Sequence, residues 1–129
     1  MVEIVDDPFP GIEALNTLWL SAWNGPVAPG YGKVLERSLA HVGAYEAGVL
    51  VGFVNVAWDG GAHAFVLDTS VHREHQRKGI ATALVARAAE LAEARGAEWL
   101  HVDFEAHLEG FYRGCGFRGT AAGLMRLGE

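Results

Sequence analysis

Apolar residues recur at helical spacing in two stretches of the chain. Ile12, Leu15, Leu18, Trp19 and Trp23 share one stripe behind Pro8 and Pro10, so the spacing predicts a helix over residues 12–23. Ile80, Leu84, Val85, Ala88, Leu91 and Ala92 form a second stripe in an alanine-rich run over residues 79–95. Arg95 in its last turn and Gly96 just beyond supply the stop. Elsewhere the period is that of strands: residues 40–45, 49–58 and 64–71 read as three runs. The first two are joined by Glu46-Ala47-Gly48 as a hairpin turn, and the third follows Asp59-Gly60-Gly61. Residues 99–104 alternate Leu100, Val102 and Phe104 against Trp99, His101 and Asp103, a further strand. Residues 33–39 and 108–113 predict short helices, residues 124–127 a closing strand, and the Pro/Gly-rich residues 24–32 a loop.

An antiparallel meander followed by strand, helix and strand describes one α/β domain over residues 1–129, with a mixed sheet and a right-handed parallel crossover. No internal repeat or second domain boundary interrupts it.

Composition narrows the function. Sixteen acids against ten bases give a formal charge of -6, which disfavours an electrostatic nucleic-acid binder. No run reaches the roughly 20 apolar residues that span a bilayer, and residues 1–7 lack the features of a signal peptide. Cys115 is the single cysteine, so no internal disulfide forms. A cytoplasmic protein with no membrane partner is expected, and a homodimer is compatible with all of this. Glycine, at 17 residues, is about twice its usual share of roughly 7 %.

Against that acidic background one basic turn stands out. Residues 72–82, His-Arg-Glu-His-Gln-Arg-Lys-Gly-Ile-Ala-Thr, carry Arg73, Arg77 and Lys78 directly onto a helix start. Unpaired N–H groups and the positive dipole end make such a place a phosphate site, and Gly79 and Ala81 let a ligand approach the backbone. A helix start with solvated cations is the plainer alternative.

The run Gln76-Arg77-Lys78-Gly79-Ile80-Ala81 resembles the Gln/Arg-x-x-Gly-x-Gly/Ala signature of the GCN5-related N-acetyltransferases. Phe111-Tyr112-Arg113-Gly114-Cys115-Gly116-Phe117 is similar to their Phe-Tyr-x-x-x-Gly-Phe segment. The resemblance covers roughly residues 49–117 and implies a GNAT-like mixed sheet. It implies acetyl transfer from acetyl-CoA to the primary amine of a small molecule or peptide by direct attack. Backbone amides of Arg77, Lys78, Gly79, Ile80, Ala81 and Thr82, with Gln76 opening the motif, would hold the pyrophosphate. Thr69, Ser70 and Val71 would pair with the pantetheine through main-chain groups, and the Val71 N–H would polarise the thioester carbonyl. Tyr112 would protonate the departing thiolate. The family's strand glutamate is replaced by an inert residue, taken as Leu100, so Asp103 or Glu105 becomes the expected base, directly or through water. Glu105 stands where the family commonly has asparagine. Arg73 replaces a common proline, which implies a looser turn. A non-catalytic acyl-CoA-binding or regulatory module of the same fold is the alternative.

Other signals carry less. Gly114-Cys115-Gly116-Phe117-Arg118-Gly119 has the dinucleotide spacing but follows a helix, so the fingerprint does not apply. His72 and His75 lack a third ligand and are expected to face solvent, and no metal site is expected. Cys115 lacks a neighbouring base and reads as a small packing residue. Trp19, Trp23 and Trp58 read as core. The acid surplus would favour a cationic acceptor if it gathered at the acceptor mouth, which the loop over residues 24–32 is expected to line.

Overall fold

The computed structural model describes residues 1–128. Five strands lie in the order β1-β2-β3-β4-β5: β1 (Val2–Asp6), β2 (Ala40–Glu46), β3 (Val49–Trp58), β4 (His63–Val71) and β5 (Trp99–Val102). Every neighbouring pair is antiparallel except β4 and β5, which run parallel. Four α-helices complete the domain: α1 (Ile12–Trp23), α2 (Tyr31–Arg37), α3 (Ile80–Ala94) and α4 (Glu109–Gly114). The expected mixed α/β sheet is therefore present.

The hairpin between β2 and β3 turns through Ala47 and Gly48, both at positive φ, the primed-turn geometry that matches strand twist. The buried faces of α3, at Ile80, Leu84, Ala88, Leu91 and Ala92, cover one side of the sheet over Val42, Val54, Val56, Ala64 and Val66. On the other side α1 and α2 bring Leu15, Leu18, Tyr31 and Leu35 onto Leu50 and Phe53. Gly52 lets α3 come close, because a Cβ there would lie 3.1 Å from both Ile80 and Leu84.

Three features depart from the sequence reading. First, the pattern did not announce β1. Its five residues gain their place from pairing Ile4 with Ala44 and from side chains reaching back from α3, where Arg87 forks onto Asp6 at 2.7 and 2.9 Å and Arg95 holds Asp7 at 2.7 Å. Second, β5 ends at Val102 rather than residue 104, because β4 no longer offers it a partner beyond Val66. The alternation expected to run on through Asp103 and Phe104 stops with it. Third, residues 124–127 form no strand. No ladder is available to this segment, and Leu124, Met125 and Leu127 remain largely exposed.

The expected 24–32 loop ends at Gly30, because Tyr31 and Gly32 open α2, and what remains is pinned. Asn24 caps α1 in the left-handed conformation, the Asn16 side chain accepts from the Val27 N–H at 3.0 Å, and Val27 is buried. Among the described residues no helix is long and apolar enough to cross a membrane.

Candidate active site

The site begins with a fault in the sheet. Phe53 of β3 pairs with Ser70 of β4, but Asn55 pairs with Leu67, so Asp68 and Thr69 together oppose Val54. This is a β-bulge, and Asp68 adopts a left-handed φ of 61° at it. Pairing with β5 has already ended at Val66 and Val102. Beyond that point β4 continues alone, and a cleft of about 1060 Å³ opens where β5 would have lain.

The main chain of β4 turns a usable edge toward this opening. The His72 N–H donates to the Val51 carbonyl at 2.8 Å, so Ser70 and Phe53, two residues on, form the next hydrogen-bonded pair. Val71, opposite Gly52, then directs its N–H and carbonyl away from β3, to the side that β5 has vacated. The Gln76 amide reaches this carbonyl at 3.2 Å and ties the following turn to the strand end.

That turn ends at the start of α3. Arg77 and Gly79 both take positive φ, 64° and 81°, and no side chain caps the helix. The first internal bond runs from the Ala83 N–H to the Gly79 carbonyl. The N–H groups of Gly79, Ile80, Ala81 and Thr82 meet no acceptor among the described residues, as the first turn of a helix requires. A row of free donors at the positive end of a 15-residue helix suits a phosphate anion.

Of the sequence-predicted cofactor residues, Thr69, Ser70, Val71, Gln76, Arg77, Gly79, Ile80, Ala81 and Thr82 line the cleft, whereas Lys78 stands outside its wall. Tyr112, Asp103 and Glu105 line it as well. Tyr112 is 7 % exposed, stacked on Phe104 at 4.9 Å and held edge-on by Phe111 and Phe117. Its hydroxyl makes no hydrogen bond among the described residues. His101 is absent from the wall: it stacks on Phe65 and lies 2.8 Å from His63.

Several expectations change on contact with the structure. Arg73 does not loosen the turn: its N–H donates to the Ser21 hydroxyl, and its guanidinium to the Ser21 carbonyl and the Asn24 side chain. His75 does not face solvent but lies 2.6 Å from Glu46, whose carboxyl it helps to hold below the ordinary range. Trp23 is not core. It is 56 % exposed, lines the cleft, and donates its indole N–H to the Ser70 hydroxyl at 2.8 Å. Trp58, at 40 % exposed, is not core either, whereas Trp19 packs beside Tyr31 and Phe53 as expected. Burial pushes the Cys115 thiol up, away from nucleophilic character.

Sequence reasoning also passed over Asp68 and Tyr31. Tyr31 is 5 % exposed, and its hydroxyl donates to Asp68 Oδ2 at 2.8 Å. The available signal was Asp68 itself: aspartate is a poor strand former that tolerates the left-handed region, so its presence mid-strand marks a bulge.

The sheet, the split parallel pair and the helix start beneath it define a mixed α/β acetyltransferase fold. The acetyltransferase (GNAT) family model matches residues 1–117, and the chain belongs to that family. Its fold is shared with a probable acetyltransferase from meticillin-resistant Staphylococcus aureus, at 21 % identity over 100 % of both chains and a TM-score of 0.86. A GNAT family acetyltransferase from Streptococcus pneumoniae superposes with a TM-score of 0.84 at 24 % identity, covering 99 % of this chain and 98 % of that one. An aminoglycoside acetyltransferase from an uncultured soil metagenomic sample gives 0.77 at 22 % identity, over 100 % and 99 %. No curated protein matches the chain at a significant level.

Proposed function

We propose that the protein transfers an acetyl group from acetyl-CoA to a primary amine of a small molecule or peptide by direct attack. The observation that carries this reading is the cleft itself, where a strand edge without a partner leads directly onto four unpaired N–H groups at the start of α3. An elongated donor with a pyrophosphate at one end and an amide-bearing arm fits both features. Gly79, Ile80, Ala81 and Thr82 hold the pyrophosphate through N–H groups, with Arg77 adding charge. Thr69, Ser70 and Val71 receive the arm as an added strand would be received.

At the far end of the arm, the Val71 N–H donates to the thioester oxygen as negative charge develops there. Tyr112, held by three aromatic rings with its hydroxyl unengaged, gives its proton to the leaving thiolate. Asp103 and Glu105, exposed on the β5 side of the cleft, draw a cationic acceptor toward it.

Thiol release from acetyl-CoA, measured across a monoamine, a diamine, an aminosugar and a lysine peptide, tests the reading. Turnover is expected on at least one of them. Tyr112→Phe is expected to bind CoA as the parent does and to lose about 10²- to 10⁴-fold in kcat. CoA binding without turnover on any amine would favour a non-catalytic acyl-CoA-binding module.

A further inference from the structure

Three elements converge to fix one acidic residue, Asp68. Asp68 sits at the bulge with φ at 61°, in the left-handed region that glycine adopts freely and that aspartate tolerates. The chain places a charged residue there instead. From α2, Tyr31 donates to Asp68 Oδ2 at 2.8 Å. Within β4, the Ser70 hydroxyl donates to the Asp68 carbonyl at 2.9 Å, and from α1 the Trp23 indole steadies that hydroxyl. No other protein donor reaches the Asp68 carboxylate among the described residues, so Oδ1 is left to whatever enters the cleft.

Tyr31 is suited to hold this carboxylate without competing for its proton. Burial among Trp19 and Phe53, and then the Asp68 charge, push the phenol well above its ordinary value, so it remains a donor. Asp68 lies three residues from Val71, and the bulge between them keeps the separation within about 10 Å, that of a fully extended strand, a distance that an acceptor amine and one water span. The other titratable groups on the cleft wall are His75 and Arg77 at the phosphate end, and Asp103, Glu105, His107 and Tyr112 across the opening.

Resting on the acetyl-transfer reading, we infer that Asp68, oriented by Tyr31, receives the proton shed by the acceptor's ammonium group and so selects a protonated primary amine as substrate. The ammonium N–H bond breaks, and its proton passes to Asp68. The freed lone pair forms the bond from nitrogen to the acetyl carbon, and the carbon–sulfur pair leaves on sulfur, which takes the Tyr112 proton. The excess proton on the new amide nitrogen restores the Tyr112 phenol, and Asp68 releases its proton to solvent, for one proton released per turnover.

Asp68→Asn tests this while keeping the bulge geometry and an oxygen for Tyr31 to meet. It is expected to bind CoA unchanged and to lose about 100-fold or more in kcat. Tyr31→Phe keeps the carboxylate but removes the donor that orients it, and is expected to lower kcat about 10-fold or more while KM and CoA binding stay as in the parent. Because Tyr31→Phe leaves Asp68 intact, it decides the matter even where Asp68→Asn fails to fold. A parent that turns over amines while Asp68→Asn keeps its kcat and pH profile overturns this inference alone. So does a parent whose kcat collapses on Asp103→Asn or Glu105→Gln instead, or is unchanged on Tyr31→Phe. A parent that binds CoA and acetylates no amine overturns this inference and the acetyl-transfer reading together.

Discussion

His41 is 1 % exposed and does structural work that depends on its neutral form. Its Nε2 accepts the Phe9 N–H at 2.9 Å, a bond that protonation would abolish, while Nδ1 lies 3.7 Å from Asp7. Burial pushes its pKa below the ordinary 6.5, against an opposing pull from Asp7. The unfolded chain therefore takes up this proton more readily than the folded one. Stability is full above pH 6.5 and declines as pH falls through it toward the depressed folded value. Melting temperature is expected to be level from pH 7 to 8 and to fall between about pH 6.5 and 5, with His41→Gln flattening that slope. Asp6 and Asp7, held low largely by Arg87 and Arg95, add losses at lower pH, where carboxylates titrate. None of this is legible in the sequence, because the partners of His41 lie 32 and 34 residues away.

Elements were legible in proportion to how far their own residues determine them. The crossover helix α3 carries its stripe, its entry glycine and its stop within one stretch, and the structure places it at Ile80–Ala94. Strand β1 was hidden because pairing with β2 and ion pairs from α3 define it. The end of β5 was misplaced for a related reason: the bulge that withdraws its partner is a matter of register between two other strands, β3 and β4. The Gly/Ala motif and Phe-Tyr segment marked two walls of the cleft, the half proposed to take the donor. The proposed acceptor half, Asp68 with Tyr31 and Trp23, arises only when α1 and α2 fold over the bulge. Two glycines give opposite predictions about how tightly these elements meet. Gly52→Val would drive a side chain into Ile80 and Leu84, destabilising by about 1–3 kcal/mol and displacing the start of α3. Chemical denaturation should register the loss, and CoA affinity should fall with it on the proposed reading. Gly110→Ala in α4 meets open space at an ordinary φ and is expected to stabilise by about 0.5–1 kcal/mol.

At the scale of the whole molecule, a charge of -6 opposes the approach of any anion. The cleft is nevertheless polarised along its length, with Arg77 and the α3 N-terminus at one end and Asp68, Asp103 and Glu105 nearer the other. Salt screens both the distant repulsion and the local attraction. The local attraction acts over a few ångströms, inside a Debye length of about 8 Å at physiological ionic strength, and so on the proposed reading it decides how strongly CoA is held. Exposed cations contribute about 0.2–1 kcal/mol each, so Arg77 and Lys78 together are expected to supply about 1 kcal/mol, roughly fivefold in Kd. Titration calorimetry from low to high salt should show CoA binding weaken by about that factor. Arg77→Ala should reduce the dependence more than Lys78→Ala, since only Arg77 lines the cleft. If binding instead tightened with salt, relief of the global repulsion would outweigh whatever Arg77 and Lys78 contribute, and their expected share of about fivefold would be wrong.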